Sequence, residues 1–518
     1  MFLKLFLNCF QNNSQIGLVL LVLVIVLIYM YNTNYLRIVY YLSKIPGPKS
    51  YPIIGVAYLV IGKTHAEITQ LVIDMINKFS PILKAYLGPI PLVCVSSPEY
   101  VREILTNHHG LEKPWLMTHI AVDVAGDSIL SAQVPKWKHN RSKIVRGFTP
   151  NILKTYFKVM IESSLLLSKK LEDKLNDSKS FDILEYLSKA AMDSVARSTM
   201  GVNVNVQDSG STFYGAMQSM FHIAFDRIYS PWKLLDVIFR LSQDFPRFSQ
   251  DKKAVIELAE KIISEKRYQK TCINNNDNKS DNIETIDKEL SEKSLLDILL
   301  EVTKNDPLFD DQQLKDEVIF MIIAGFETTA NALGYVLLNL AVHQDIQNKV
   351  CEELFQVVDD FDRKIHLDDL PQLKYMEMVI KESMRLHPTI PLIARKLTRD
   401  IKFDEYLVPD GTTVVIPIIC LHRNENIWTD PLKFDPERFT PENSKNRHPY
   451  AFLPFSAGPR NCVGIRYAWM FMKVVLATLL SRYEFHTDVD VNKLEHEFAL
   501  SLKLLGGHQV RITPRRRN

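Results

Sequence analysis

The chain predicts a mainly α fold with small β-sheets, on three observations. Apolar residues recur at helical spacing through most of its length, for example Ile465, Ala468, Phe471, Met472, Val475, Leu476 and Leu479. Alternating apolar stretches are few and short. No change in composition separates two independent cores, so the 518 residues read as one large domain over 50–518, preceded by a hinge at 45–49 and an amino-terminal segment at 1–44.

The amino-terminal segment carries no charge between Lys4 and Arg37, and residues 16–31 are aliphatic or aromatic except for Gly17. As a helix that run spans about 24 Å, slightly less than a hydrocarbon core, so it is expected to be a single membrane anchor aided by flanking Tyr35 and Leu36. Arg37, Lys44 and Lys49 follow it, and this positive excess places the bulk of the chain on the cytosolic side. No small-residue cleavage site follows, which argues against a removed signal peptide. The Ile45-Pro46-Gly47-Pro48 sequence then forms a stiff, non-helical hinge.

Beyond the hinge, residues 82–96 alternate around Gly88-Pro89 and predict a hairpin. Residues 274–282 hold no apolar side chain and are expected to form a surface loop. Asp310 or Asp311 caps a long helix reaching about His343, and a second helix is expected over 372–386. Short strands are expected at 412–419 and at 504–512, the latter turning at Gly506-Gly507. The terminal Arg515-Arg516-Arg517 reads as a solvated tail.

Composition excludes several functions. With 46% hydrophobic and 24% charged residues the chain is globular, and a formal net charge of +2 gives no reason to expect nucleic acid. The six cysteines, at 9, 94, 272, 351, 420 and 462, form no Cys-x-x-Cys pair, so they read as reduced thiols without zinc.

Cys462 stands apart. It lies in Phe455-Ser-Ala-Gly-Pro-Arg460-Asn-Cys462-Val-Gly464, just before an apolar helical run. Free backbone N–H groups and the positive end of the helix dipole favour a thiolate there, and a metal would complete it. Gly458 permits a turn closed to other residues, Gly464 lets backbone approach a flat ligand, Phe455 can screen the sulfur, and Arg460 suits a haem propionate. These residues point to haem b held by an axial Cys462 thiolate. Within the long central helix lies Ala324-Gly325-Phe326-Glu327-Thr328-Thr329, where Thr328 can bond the Ala324 carbonyl and, with the glycine, open a groove.

The cysteine frame matches Phe-x-x-Gly-x-Arg-x-Cys-x-Gly at every fixed position, and by it the chain resembles the cytochrome P450 family. That resemblance covers nearly the whole chain and implies a helical prism enclosing the haem. It implies that Glu327 and Thr328 relay the protons consumed in splitting dioxygen. It implies a buried structural triad of Glu382, Arg385 and Arg438, drawn from Glu382-Ser-Met-Arg385 and Pro436-Glu-Arg438-Phe439. Trp137 and Arg141, with Arg395, match propionate ligands. Phe320, Ile323 and Ala324, with Ile390, Leu392 and Ile393, are expected to line an apolar substrate pocket.

The expected activity is a membrane-bound monooxygenase of the endoplasmic reticulum acting on a lipophilic substrate such as a fatty acid, hormone, pheromone or xenobiotic. Its electrons would come from NADPH through NADPH-cytochrome P450 reductase, with cytochrome b5 as a second donor, and basic Lys136, Lys138, Lys143 and Arg146 could meet such a donor. The alternatives are a peroxide-rearranging isomerase, which the intact Glu327 and Thr328 oppose, and a haem-containing lipid or hormone binder. The Ile380-to-Pro388 and Pro391-to-Arg395 stretches are most similar to the animal family-four clan, especially insect members. Many of those carry a haem-esterified Glu before the central glycine and His after it; here Ala324 and Phe326 stand there, so no haem ester can form at position 324.

Overall fold

A computed structural model describes residues 34–51, 54–175, 179–208, 212–276, 293–358 and 363–515. Helix accounts for 60% of the described residues, in agreement with the mainly α expectation. The proposed anchor at 16–31 lies outside the described residues. Packing divides the chain into two compact units, the smaller drawn from the chain up to Gly62, Asp74–Pro114 and Ala394–Pro417, the larger from the remainder. Each unit is assembled from separated stretches, which explains why composition shows no boundary.

In the smaller unit, β1 (Ile82–Leu87) and β2 (Ile90–Val95) form the expected antiparallel hairpin, closed by Leu87 opposite Ile90 with Gly88 at φ +60°. β2 pairs in parallel with Thr413–Pro417, and the sheet also includes Leu392–Lys396. The expected strand at 412–419 ends early: from Ile418 the chain turns into a short helix. Helix α1 (Tyr35–Leu42) is tied down by Arg37, which bonds Asp400 and Asp410 at 2.5 and 2.9 Å. The hinge is non-helical as expected and docked, since the Lys84 amide donates to the Pro46 carbonyl and a Cβ on Gly47 would meet the Lys84 carbonyl at 2.2 Å.

The larger unit is built around its longest apolar helix. Among the helices that position the site are α2 (Val134–Ile144), α3 (Ile183–Val195), α4 (Thr212–Tyr229), α5 (Asp311–Val342), α6 (Lys374–Leu386) and α7 (Ile465–Leu480). Asp310 caps α5 by accepting from the Gln313 amide, and the helix ends at His343, as its sequence predicts. Among the described residues α5 is the one helix long and apolar enough to cross a membrane, but it is mostly buried in protein and serves as the core. Gly325 departs from expectation. A Cβ there would come within 2.6 Å of Val195, so this glycine lets α5 and α3 approach closely rather than opening a groove.

Three further expectations are corrected. Gly506 and Gly507 do turn the chain with positive φ, but the strands beside them belong to different sheets: Leu502–Leu504 pairs with His496–Phe498, and Gln509–Pro514 with Tyr483–His486 and Phe181–Asp182. The turn is docked instead on Asp182, whose carboxylate accepts the His508 amide. Residues 274–276 continue the helix Phe245–Asn276, and the rest of that polar run lies outside the described residues. Arg515 is packed rather than solvated, bonding the Leu480 carbonyl at 2.8 Å and lying 3.5 Å from Glu484.

On α5, Tyr335 stacks on His387 at 4.4 Å and meets the edge of His508 at 4.6 Å, while His387 stacks on His496. Burial pushes His496 down to about 4 and His508 to about 3, and holds His387 well below its ordinary 6.5. Because these folded values lie below the ordinary one, the unfolded chain takes up protons first. The cluster's contribution is present above about pH 6.5 and lost as pH falls toward the folded values. Thermal melting of the full-length protein should therefore drop steadily between pH 6.5 and 4, with a shallower slope in His508→Phe.

Candidate active site

The cysteine lies on a tight turn immediately before α7. Gly464 is the N-cap of α7, Gly458 has φ +71°, and Ser456 also sits at positive φ. The Cys462 amide donates to the Phe455 carbonyl at 3.1 Å and the Asn461 amide to Gly458 at 3.1 Å, which closes the turn. Cys462 is accessible on this turn although many protein atoms surround it. Burial pushes its thiol up, and the Gly464 N–H and the Arg141 charge offset this only in part. Helix end and arginine therefore do not by themselves give the lowered thiol that the sequence leads one to expect.

Around the sulfur the structure fits a flat, dianionic metal complex. A Cβ built on Gly464 meets nothing closer than 4.0 Å, and its nearest neighbours are the Cys462 sulfur and the Phe148 ring. The Phe455 ring lies 6.0 Å from Trp469 beside the turn. Trp137 is buried, with Arg460 over its ring at 4.5 Å and Arg141 at 6.0 Å. Arg460 donates to the Ala132 carbonyl at 2.7 Å, and Arg141 to the Asn461 carbonyl and side chain at 2.8 and 2.5 Å. Two guanidinium groups, one indole and one thiol therefore converge. Arg395 lies in the smaller unit, buried on its strand and bonded to the Ala394 carbonyl, with burial lowering it to about 10.

Helix α5 packs on α7. Between Asp316 and Ala341 its residues are buried except Phe320, Ala324, Gly325, Glu327 and Thr328. Positions 320, 324, 327 and 328 share one helical face, so the incompletely buried residues of the helix form a stripe. Thr328 donates to the Ala324 carbonyl at 2.7 Å, the back-bond its spacing predicts, and the helix stays α-helical through it. Ile323 is off the stripe and buried, whereas Ile390, Leu392 and Ile393 are half-buried. Glu327 accepts from the Ser501 hydroxyl at 2.9 Å and the Gln218 amide at 3.4 Å. Burial pushes its carboxyl up, and those two donors restrain the shift. Neither Ser501 nor Gln218 could be found from sequence, because each comes from a distant element.

Glu382, Arg385 and Arg438 come together. Arg385 makes a two-pronged pair with Glu382 at 2.7 and 2.8 Å, both side chains at 0% exposure, and Arg438 approaches the same carboxylate at 3.3 Å. The remaining donors of Arg385 reach the carbonyls of His422, Pro431 and Lys433, and Glu382 also accepts the Asp435 amide. His422 in turn accepts the Leu453 amide at 2.7 Å, just ahead of the cysteine turn. Trp428, which sequence reasoning missed, lies between Arg385 at 5.0 Å and Arg447 at 4.2 Å.

A model of the cytochrome P450 family matches residues 45–507. The chain belongs to the cytochrome P450 family. It is 32% identical to cytochrome P450 4c21 of Blattella germanica over 459 residues, covering 88% of this chain and 89% of that one. It is 31% identical to cytochrome P450 4g1 of Drosophila melanogaster, covering 91% and 89%, and 31% identical to human cytochrome P450 4V2, covering 91% and 89%. It is accordingly a P450 monooxygenase, and the converging thiol, indole and guanidinium groups fit the haem that this family implies.

Removing one partner of the fully buried pair strands the other charge, at a cost of about 3–5 kcal/mol. Arg385→Ala and Glu382→Gln should each yield protein with little bound haem by its Soret absorbance, while Arg438→Ala, at a position 11% exposed, should retain more.

Proposed function

We propose that this P450 inserts one atom of dioxygen into a lipophilic substrate of the fatty acid, hormone, pheromone or xenobiotic kind, reducing the other to water with two electrons and two protons. Electrons come from NADPH through a reductase, with cytochrome b5 as a further donor. The segment 1–44 anchors the protein in the endoplasmic reticulum membrane, with the catalytic domain in the cytosol. The observation that carries this reading is the half-buried stripe of Phe320, Ala324, Glu327 and Thr328 on an otherwise buried helix.

In this reading Cys462 ligates the haem iron, and Trp137, Arg141 and Arg460 hold the haem carboxylates. Phe455 and Gly464 shape the face beside the sulfur. Haem, when bound, supplies dioxygen activation and the thiolate's electron push. The protein's own part is to bind the substrate, exclude water and deliver protons. A carboxyl biased by burial toward its protonated form, one residue from a hydroxyl, suits Glu327 and Thr328 to hold and pass a proton. Phe320, Ala324, Ile390, Leu392 and Ile393 offer apolar contact to the substrate, with Ile323 packed behind them.

For the electron donor, the basic cluster narrows. Lys136 pairs with Asp127 at 2.7 Å and Lys143 with Asp306 at 3.0 Å, whereas Lys138 and Arg146 are exposed. Those two are the better candidates to meet an acidic partner.

Full-length protein in membranes with reductase and NADPH, given heavy-isotope-labelled dioxygen and a panel of fatty acids, steroids, terpenoids and insecticides, should place label in at least one product. Glu327→Gln should lower product formation by about a hundredfold while leaving substrate-induced spectral change intact. Absence of label across the panel, with reductase electrons shown to reach the iron, would overturn the reading.

A further inference from the structure

Two carboxylates lie on α5 well before Glu327, and the chemistry proposed above uses neither. Glu317 has no exposure and accepts three hydrogen bonds: from the Ile129 amide at 3.1 Å, from Asn140 Nδ2 at 3.0 Å and from Gln313 Nε2 at 2.9 Å. Asp316 accepts the Asp127 amide at 2.9 Å and Gln312 Nε2 at 2.8 Å. Gly126, at φ +62°, lies so close that a Cβ would come within 2.1 Å of the Asp316 carboxyl. Gln313 also donates to the Asp127 carbonyl at 3.1 Å. One face of α5 thus laces down the loop 126–131, and that loop leads directly to Ala132 and α2.

Those are the elements that grip the cysteine turn. Ala132 gives its carbonyl to Arg460, Arg141 bonds Asn461, and Trp137 lies between the two arginines. Asn140, the neighbour of Arg141, is the residue on α2 that Glu317 holds. We infer that Glu317 is a positioning residue for the prosthetic group, setting through Ile129 and Asn140 the loop and helix that present Trp137, Arg141 and the Ala132 carbonyl. This rests on the reading that Trp137, Arg141 and Arg460 hold the haem carboxylates.

The chemistry of the site supports it. All three partners of Glu317 are donors and none is a cation; the Ile129 amide and Asn140 belong to the loop and helix it fixes, and Gln313 lies one turn back on its own helix. The charges nearby are engaged elsewhere: Asp127 with Lys136, and Asp306 with Lys143 and His139. Burial pushes Glu317 up to about 7, the three donors restrain it, and neighbouring Asp316 adds to the rise. An apolar residue at this position could not make the bonds that tie α5 to the Ile129 amide and to Asn140.

The test is haem transfer from full-length holoprotein to excess apomyoglobin, comparing natural haem with haem whose two carboxylates are esterified. Glu317→Gln and Asn140→Ala should each speed loss of natural haem by about tenfold, the double variant no more than either alone. With esterified haem neither should add to the already faster loss of the wild type. Arg141→Leu serves as the control on the underlying reading and should narrow the difference between the two haems, Arg460 and Trp137 retaining the rest. If Arg141→Leu preserves that difference in full, the carboxylate clamp itself is wrong. If Arg141→Leu behaves as expected but Glu317→Gln and Asn140→Ala speed loss of both haems equally, or of neither, Glu317 is only a fold residue and the inference is overturned. Should Glu317→Gln fail to fold, Asn140→Ala alone decides between these outcomes.

Discussion

A sulfur surrounded by protein cannot hold a negative charge without a strong positive partner, and the larger unit is arranged around that constraint. Burial raises the Cys462 thiol more than the Gly464 N–H and Arg141 lower it, and the haem that the family implies would supply the positive partner. What the chain supplies is position. Gly458 and Gly464 shape the turn, α7 begins at its end, and the Phe455 carbonyl holds the Cys462 amide. The turn is then gripped by Arg141 through Asn461, while the Glu382–Arg385 pair fixes the segment before it through His422 and Leu453.

The second half of the site belongs to α5. A helix this apolar has to be buried, and nearly all of it is; the exceptions fall on the face that carries Glu327 and Thr328. Glu327 is held by Ser501 on one side and Gln218 on the other, so its carboxyl is oriented by a strand turn and by α4 as well as by its own helix. Asn331 and Tyr335 both donate to the Leu502 carbonyl, which fixes that strand turn to α5. The groups proposed to deliver protons and those proposed to line the substrate space thus share one scaffold.

Much of this was legible in sequence where the determinants are local. The Asp310 cap, the Gly88-Pro89 hairpin and the Thr328 back-bond each depend on residues within a few positions of one another, and each appears as expected. The cysteine turn was readable because glycine, arginine and cysteine at fixed spacing have few other uses. Long-range partners were not readable. Gly325 is set by Val195, the Gly506-Gly507 turn by Asp182, and Arg515 by Glu484 and Leu480, none of which sequence proximity reveals. Glu317 and Asn140 carried no motif at all; only their convergence in space distinguishes them from ordinary polar helix residues.

The central claim is that Cys462 provides the metal's sulfur ligand on a turn prepared for it. Iron K-edge X-ray absorption on the full-length protein loaded with haem tests this most directly. The account predicts one sulfur scatterer in the first shell of the iron, lost in Cys462→Ser with the porphyrin nitrogens unchanged. A first shell of nitrogen and oxygen alone in the wild type, or a sulfur that survives the substitution, would contradict it.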